Sequence, residues 1–289
     1  MSIQEKSISQ PDTFHKNIVG HYSRENLENV VLAALEKAGK DIDNLTPDDL
    51  APIDEFHVRG RKATIELAHE IGLVPDMHVL DVGSGIGGPS RYIAGEFGCR
   101  VTGIDLTDAY CRVAQMLAER LGLCNRVIYR QGDACALPFP DASFDVVWTQ
   151  HTSVNIPDKT TFYQEMFRVL KKGGTLAIYD VLAGPASPVY FPVPWACEPE
   201  SSYLILPEEL RVILSDCGFT IESWKDTTDI ARAWFTNVSK KIQQSGLTPL
   251  GIHVLLGADF KVMAHNQRKN LEEGRIALAQ IVAKKCCAS

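Results

Sequence analysis

Between His78 and Asp180 the chain alternates two rhythms. Short apolar blocks (HVLDVG, RVTGIDL, RVIYRQGD, FDVVWTQ and TLAIYD) are interleaved with segments whose apolar residues recur every three to four positions. The blocks predict strands, and the segments PSRYIAGEFG, TDAYCRVAQMLAERLG and KTTFYQEMFRVLKKGG predict helices. Punctuation agrees with this division. Pro89 sits in a first turn, Gly98 and Gly122 follow helix ends, Thr107 suits an N-cap, and the pair Gly173–Gly174 closes the third helix. Strands alternating with helices imply right-handed crossovers, hence an α/β, doubly wound, Rossmann-like sheet that is mostly parallel.

The flanks read differently. ENLENVVLAALEKAG and KATIELAHEIGL have helical periods, joined by the proline-containing connection LTPDDLAPIDEFHVRG. They make residues 1–74 an N-terminal helical cap ahead of a core at 75–182. After Asp180 comes an irregular stretch rich in proline and aromatics, AGPASPVYFPVPWACEPE. A helix (PEELRVILSDCGF) and a strand (TIESWKD) follow. A helical insertion over about residues 228–272 then precedes a last strand, RIALAQIVAK, so that residues 183–289 form a substrate-side lid plus the last of seven strands.

Composition narrows the class. With 45% apolar and 22% charged residues the chain resembles an ordinary globule, and its net charge of −7 gives no support to a nucleic-acid partner. The eight cysteines include no C-x-x-C pair, which suits reduced thiols in a cytoplasmic setting better than disulfides or a metal site. No apolar run reaches membrane length, and the polar start lacks a signal-peptide core. The end, KKCCAS, formally fits a C-a-a-X lipidation pattern at Cys286, although a frayed tail is the plainer account. Oligomeric state is not legible, a homodimer being one option.

The chemistry begins at DVGSGIGGPS, which satisfies G-x-G-x-x-G at Gly83, Gly85 and Gly88. Glycines after a first strand let a backbone approach a ligand beside free helix N–H groups. Asp105, ending the second strand, is placed to accept ribose hydroxyls. A nicotinamide-dependent oxidoreductase would use these features equally well, and a non-catalytic cofactor-binding protein could share them. Asp81 tips the balance. A carboxylate two residues before the first glycine would repel a pyrophosphate but suits an ammonium or sulfonium. Asp133, after the third strand, can reach an adenine amino group.

DVGSGIGG, GIDLT, GDACALPFPDASFD and EMFRVLKKGG occur in the order and spacing of the class I S-adenosylmethionine-dependent methyltransferases, and the chain resembles that family over about residues 78–183. The resemblance implies S-adenosylmethionine as cofactor. Gly83 and Gly85 would contact its methionine part and Asp81 its amino group. Asp105 would take the ribose, Leu106 would lie against the adenine, and Asp133 and Ala134 would hold the adenine edge. Gln150 would lie along the methionine chain, while Tyr22 and Gly60, with His57, would close over the cofactor from the cap.

Strand four continues WTQHTSVNIPDK, without the N-P-P-Y motif of enzymes that methylate polymers. It is similar to small-molecule methyltransferases: sarcosine and dimethylglycine N-methyltransferases, sugar O-methyltransferases, and sterol and tocopherol C-methyltransferases. The acceptor implied is therefore a small molecule, with an amine nitrogen first and O, S or C as alternatives. The sugar enzymes carry a histidine pair where Val154 and Asn155 stand here, but Asp180 matches their catalytic aspartate. Asp180, His151 and Asn155 are thus the catalytic candidates, Asp180 or His151 as proton acceptor. His57, Tyr190, Trp195 and Trp234 could line the acceptor site, the aromatics as a box for a cationic amine or as core packing of an irregular lid. A lid that moves would exclude water on closing.

Overall fold

The structure is a computed structural model that describes residue 20 and residues 26–286. Tyr22, and the tail after Cys286, lie outside the described residues. The cap contains α1 (Leu27–Lys37), α2 (Pro47–Asp54) and α3 (Arg61–Ile71). Then come β1 (His78–Val82), α4 (Gly88–Phe97), β2 (Arg100–Asp105), α5 (Asp108–Arg120), β3 (Val127–Gln131), β4 (Phe144–Gln150), α6 (Lys159–Val169) and β5 (Leu170–Ala183). The C-terminal part comprises α7 (Pro207–Asp216), β6 (Phe219–Asp226), α8 (Thr228–Ser245), α9 (His253–Leu256), α10 (Phe260–Glu272) and β7 (Ile276–Lys285).

The seven strands form one sheet in the order β3-β2-β1-β4-β5-β7-β6, with only β7 antiparallel to its neighbours. The doubly wound, mostly parallel sheet is therefore present, with the helical insertion between β6 and β7. The order reverses between β1 and β4, and at that switch point the carboxyl ends of neighbouring strands open a crevice.

Two segments depart from the periodicity. The connection before α3 contains a helix, α2. Pro47 occupies its first turn, where a missing N–H costs nothing, and Thr46 and Asp49 form a reciprocal capping box. The helix predicted through Gly174 stops at Val169, and KKGG belongs to β5. Leu170 pairs with Phe144, and Lys171 reaches the Asp145 carboxylate at 2.7 Å, so edge pairing outcompetes another helical turn.

Both faces of the sheet are covered. On one, Trp148 and Tyr179 pack with Leu67 of α3, Ile93 of α4 and the lid residues Val193 and Trp195. On the other, Leu80 and Ile178 pack with Phe162 and Met166 of α6 and Leu210 of α7. A third cluster joins Leu35 of α1 and Ile53 of α2 to Val113 of α5 and to Leu250 and Leu255 of the insertion. Cap and insertion thus meet directly above the switch point. Arg91 fastens the cap to α4 from within: 3% exposed, it donates to Asp54 Oδ2 at 2.9 Å and to the Ile86 carbonyl at 2.6 Å. Among the described residues no helix is long and apolar enough to cross a membrane.

Candidate active site

A cleft enclosing about 1,060 Å³, open solvent included, lies over the switch point. Its floor is the loop after β1. Gly83 has φ +74°, and a Cβ there would fall 2.1 Å from Thr152 Oγ1. The missing side chain therefore makes room for the loop after β4, whose Thr152 hydroxyl donates to the Val82 carbonyl at 3.1 Å. Gly85 differs: with φ +54°, its absent Cβ would meet nothing within 4 Å, so the backbone itself faces the cleft.

The strand-end acids converge here. Asp81 is 2% exposed and accepts from Ser90 Oγ at 2.5 Å. Burial, reinforced by the charges of Asp105 and Glu55, pushes its carboxyl up to about 7. Asp105 accepts from Gly85 N and Thr107 N, each at 2.9 Å; burial still raises it on balance. Leu106, Asp133 and Ala134 line the far end, where Asp133 Oδ1 accepts from Cys135 N at 2.8 Å. Gln150 lines the near end. Its Oε1 accepts from Trp148 Nε1 at 3.0 Å, which leaves Nε2 buried without a partner.

Two histidines stand beside Gln150. Both nitrogens of His57 are engaged: Nε2 faces Glu55 Oε2 at 3.0 Å and Thr64 Oγ1 at 3.1 Å, and Nδ1 faces the Val58 carbonyl at 3.3 Å. Burial would raise the Glu55 carboxyl, but its bonds to His57 and Thr64 and the charge of Arg61 leave it lowered. His151 has the opposite character. It sits at φ +52°, a conformation unusual for a side-chain-bearing residue, with its ring 5.9 Å from His57 and 5.2 Å from Tyr179. Its Nε2 is buried and unpartnered, and burial, then the neighbouring His57, holds it well below the ordinary histidine range. It is a neutral imidazole with a free nitrogen in the lining of the cleft.

Other candidates lie elsewhere. Asp180 is 1% exposed and absent from the cleft wall; it accepts from Ser153 N at 3.2 Å and Val181 N at 2.9 Å. Asn155 reaches the wall, but its amide donates to the Trp195 carbonyl at 2.8 Å and the Ser201 carbonyl at 2.9 Å. Trp195 is core, its indole N–H bound to Ser202 Oγ. Trp234 packs on Phe235, and Tyr190 is covered by Lys269 and Arg275. None of these three lines the cleft. Gly60 caps α3 at φ +53° and also stands outside it. The sequence reading did not select Phe56, Tyr110, Ile156 or Leu255, which do line it. Phe56 adjoins the singled-out His57, and Leu255 sits in the insertion; no local motif marks either.

The residues present fit an adenosine bearing a cationic amino-acid arm. Gly85 offers open backbone. Ser84 Oγ and Gln150 Nε2 are buried cleft-lining polar atoms that lack partners, and Asp81 is a buried acid with no lysine or arginine bonded to it. A Rossmann-like crevice with acids at the ends of β1 and β2 defines a nucleoside-cofactor enzyme. Residues 80–178 match the methyltransferase-domain family. The chain is 43% identical to a sterol 24-C-methyltransferase of Gibberella zeae over 116 residues, covering 40% of this chain and 30% of that enzyme. It is 27% identical to the 27-O-demethylrifamycin SV methyltransferase of Amycolatopsis mediterranei, covering 82% and 87%. The fold is shared with a Haemonchus contortus phosphoethanolamine N-methyltransferase 2 solved with S-adenosylmethionine (TM-score 0.72, 20% identity, 96% and 60% covered). The alignments with the sterol enzymes span less than a third of their length. The chain carries a methyltransferase domain of the S-adenosylmethionine-dependent kind.

Proposed function

We propose that the protein moves a methyl group from S-adenosylmethionine to the nitrogen of a small amine by in-line displacement. The observation carrying this reading is a cleft lined by Asp81, Asp105 and Asp133 and by His151, whose buried Nε2 has no partner. No lysine or arginine is among the described residues lining the cleft, so a simple amine suits it better than a sarcosine-like acceptor with its own carboxylate.

When bound, S-adenosylmethionine supplies a methyl group on a positively charged sulfur that leaves readily. This chain's part is to bind, align and exclude water. Asp81 would hold the ammonium, Asp105 the ribose hydroxyls, and Asp133, Leu106 and Ala134 the adenine. Gln150 Nε2 would donate to the carboxylate of the methionine arm. His151, neutral at pH 7, would accept a hydrogen bond from the acceptor and orient its lone pair. His57 is less suited to that task, because both its nitrogens are already engaged by Glu55, Thr64 and the Val58 carbonyl.

A second reading, O- or C-methylation of a lipophilic molecule, is favoured by the apolar wall of Phe56, Ile86, Pro89, Ile156 and Leu255. Calorimetry with S-adenosylhomocysteine and with NAD, followed by a labelled-methyl assay on parallel sets of amines, phenols and isoprenoids, tests both. Binding of S-adenosylhomocysteine alone, with label entering an amine, is the expected result. Label confined to phenols or isoprenoids selects the second reading, and no affinity for the homocysteine nucleoside overturns both.

A further inference from the structure

Behind the cleft wall lies a buried cation that the proposed chemistry does not use. Lys159 opens α6, yet it is only 4% exposed. Its Nζ donates to three main-chain carbonyls: Ser153 at 2.5 Å, Ile156 at 2.5 Å and Tyr203 at 2.7 Å. All three ammonium hydrogens are thereby used. The first two carbonyls flank Asn155 in the turn after β4, and the third belongs to the lid. The lid answers in kind, with Tyr203 N donating to the Val154 carbonyl at 2.8 Å and the Trp195 and Ser201 carbonyls taking the Asn155 amide. From the other side of the same turn, Asp180 accepts the Ser153 N–H.

We propose that Lys159 is a positioning residue: a buried ammonium that pins the turn carrying the wall residues Asn155 and Ile156 to the lid at Tyr203, and so fixes the acceptor side of the cleft. Asp180 belongs to this device as counter-charge and anchor of Ser153. An uncharged isostere would take one donor from each of the three carbonyls, of which that of Ser153 keeps the Ile156 N–H at 2.8 Å, a penalty in a largely dry interior. The lid then acts as a fixed backing for that wall.

The titratable groups facing the ammonium are Asp180 on β5 and Cys135 in the loop after β3; Tyr163 of α6 faces Asp180 in turn. Burial pushes Lys159 down to about 8, against the pull of Asp180. Loss of one proton removes one of three donors, so the pin should loosen as pH rises through about 8.

Amide exchange and two-dimensional NMR on Lys159→Met, Lys159→Arg and the unaltered protein test this, with S-adenosylhomocysteine as the bound probe. Lys159→Met should speed exchange at the Tyr203 amide at least about tenfold while exchange at Gly83 and Gly85 and affinity for the probe stay within about twofold, and Lys159→Arg should restore most of the protection. Unchanged exchange at Tyr203, or a uniform rise along the chain, overturns the proposal. Should Lys159→Met not fold, the unaltered protein decides: the Ile156 and Tyr203 signals should titrate with one midpoint near 8, and their constancy from pH 7 to 9 overturns it. The pin concerns the cleft wall, so failure of the unaltered protein to bind the probe sinks the methyltransferase reading without touching it.

Discussion

The two halves of the cleft are built by different means. The cofactor half is mostly backbone and strand ends: Gly85, the N–H groups that hold Asp105, and acids closing β1 and β2. The half assigned to the acceptor is assembled from side chains of three remote segments: Phe56 and His57 of the cap, His151 and Asn155 after β4, and Leu255 of the insertion, with the lid behind them. One half is thus dictated locally and lies within residues 80–178, which match the methyltransferase-domain family, while the other draws partly on segments outside them.

Substitutions can break that contrast. The largest effect is expected at Gly83, where the φ of +74° and the 2.1 Å approach to Thr152 coincide. Gly83→Val should cost roughly 3 kcal/mol or more of stability and abolish S-adenosylhomocysteine binding, as read by melting and calorimetry.

Next comes Asp81. A folded pKa of about 7 lies above the unfolded value, so the native state holds a proton that the unfolded chain releases. The stabilisation is complete in acid and fades as pH rises from about 4 to about 7. Asp81→Asn should flatten that slope and raise the melting temperature of the ligand-free protein at pH 8, yet weaken S-adenosylhomocysteine by about tenfold or more through loss of the ion pair. In the unaltered protein, affinity should climb as pH passes about 7, where Asp81 ionises.

His151 probes the other half. His151→Phe keeps the ring contact with Tyr179 but removes the free nitrogen, so methyl transfer should fall about 10²-fold with homocysteine-nucleoside affinity within about threefold. The smallest effect should follow Asp180→Asn. Its carboxylate does not line the cleft, and an amide oxygen can still accept from Ser153, so turnover in the labelled-methyl assay should drop less than about fivefold. A loss of about 10³-fold would return Asp180 to the reacting atoms.

The same contrast explains what the chain discloses. The sheet, its switch point and the acids at the strand ends were legible because strand period, glycine and strand-end acid follow one another within a few residues. The helix α2 was hidden by Pro47 and Pro52, which signal a break unless the Thr46–Asp49 cap is noticed. The lid aromatics stayed open, box or core, for a different reason. Tyr190, Trp195 and Trp234 are bulky and sit in an irregular stretch or an amphipathic helix, but whether such rings face a ligand or a core depends on partners such as Ser202, Arg275 and Phe235 far from any motif. His151 could not be oriented from its neighbours, since its unusual φ is imposed by the turn after β4.

The contact between Gly83 and Thr152 ties the two halves together. Any graft that imports a new loop after β4 from a relative must bring a residue no bulkier than threonine to that spot, or the nucleoside floor buckles. Retargeting this scaffold to other acceptors is therefore a matter of varying Phe56, Ile156 and Leu255 around an untouched hinge point, with position 152 as the boundary that exchange cannot cross.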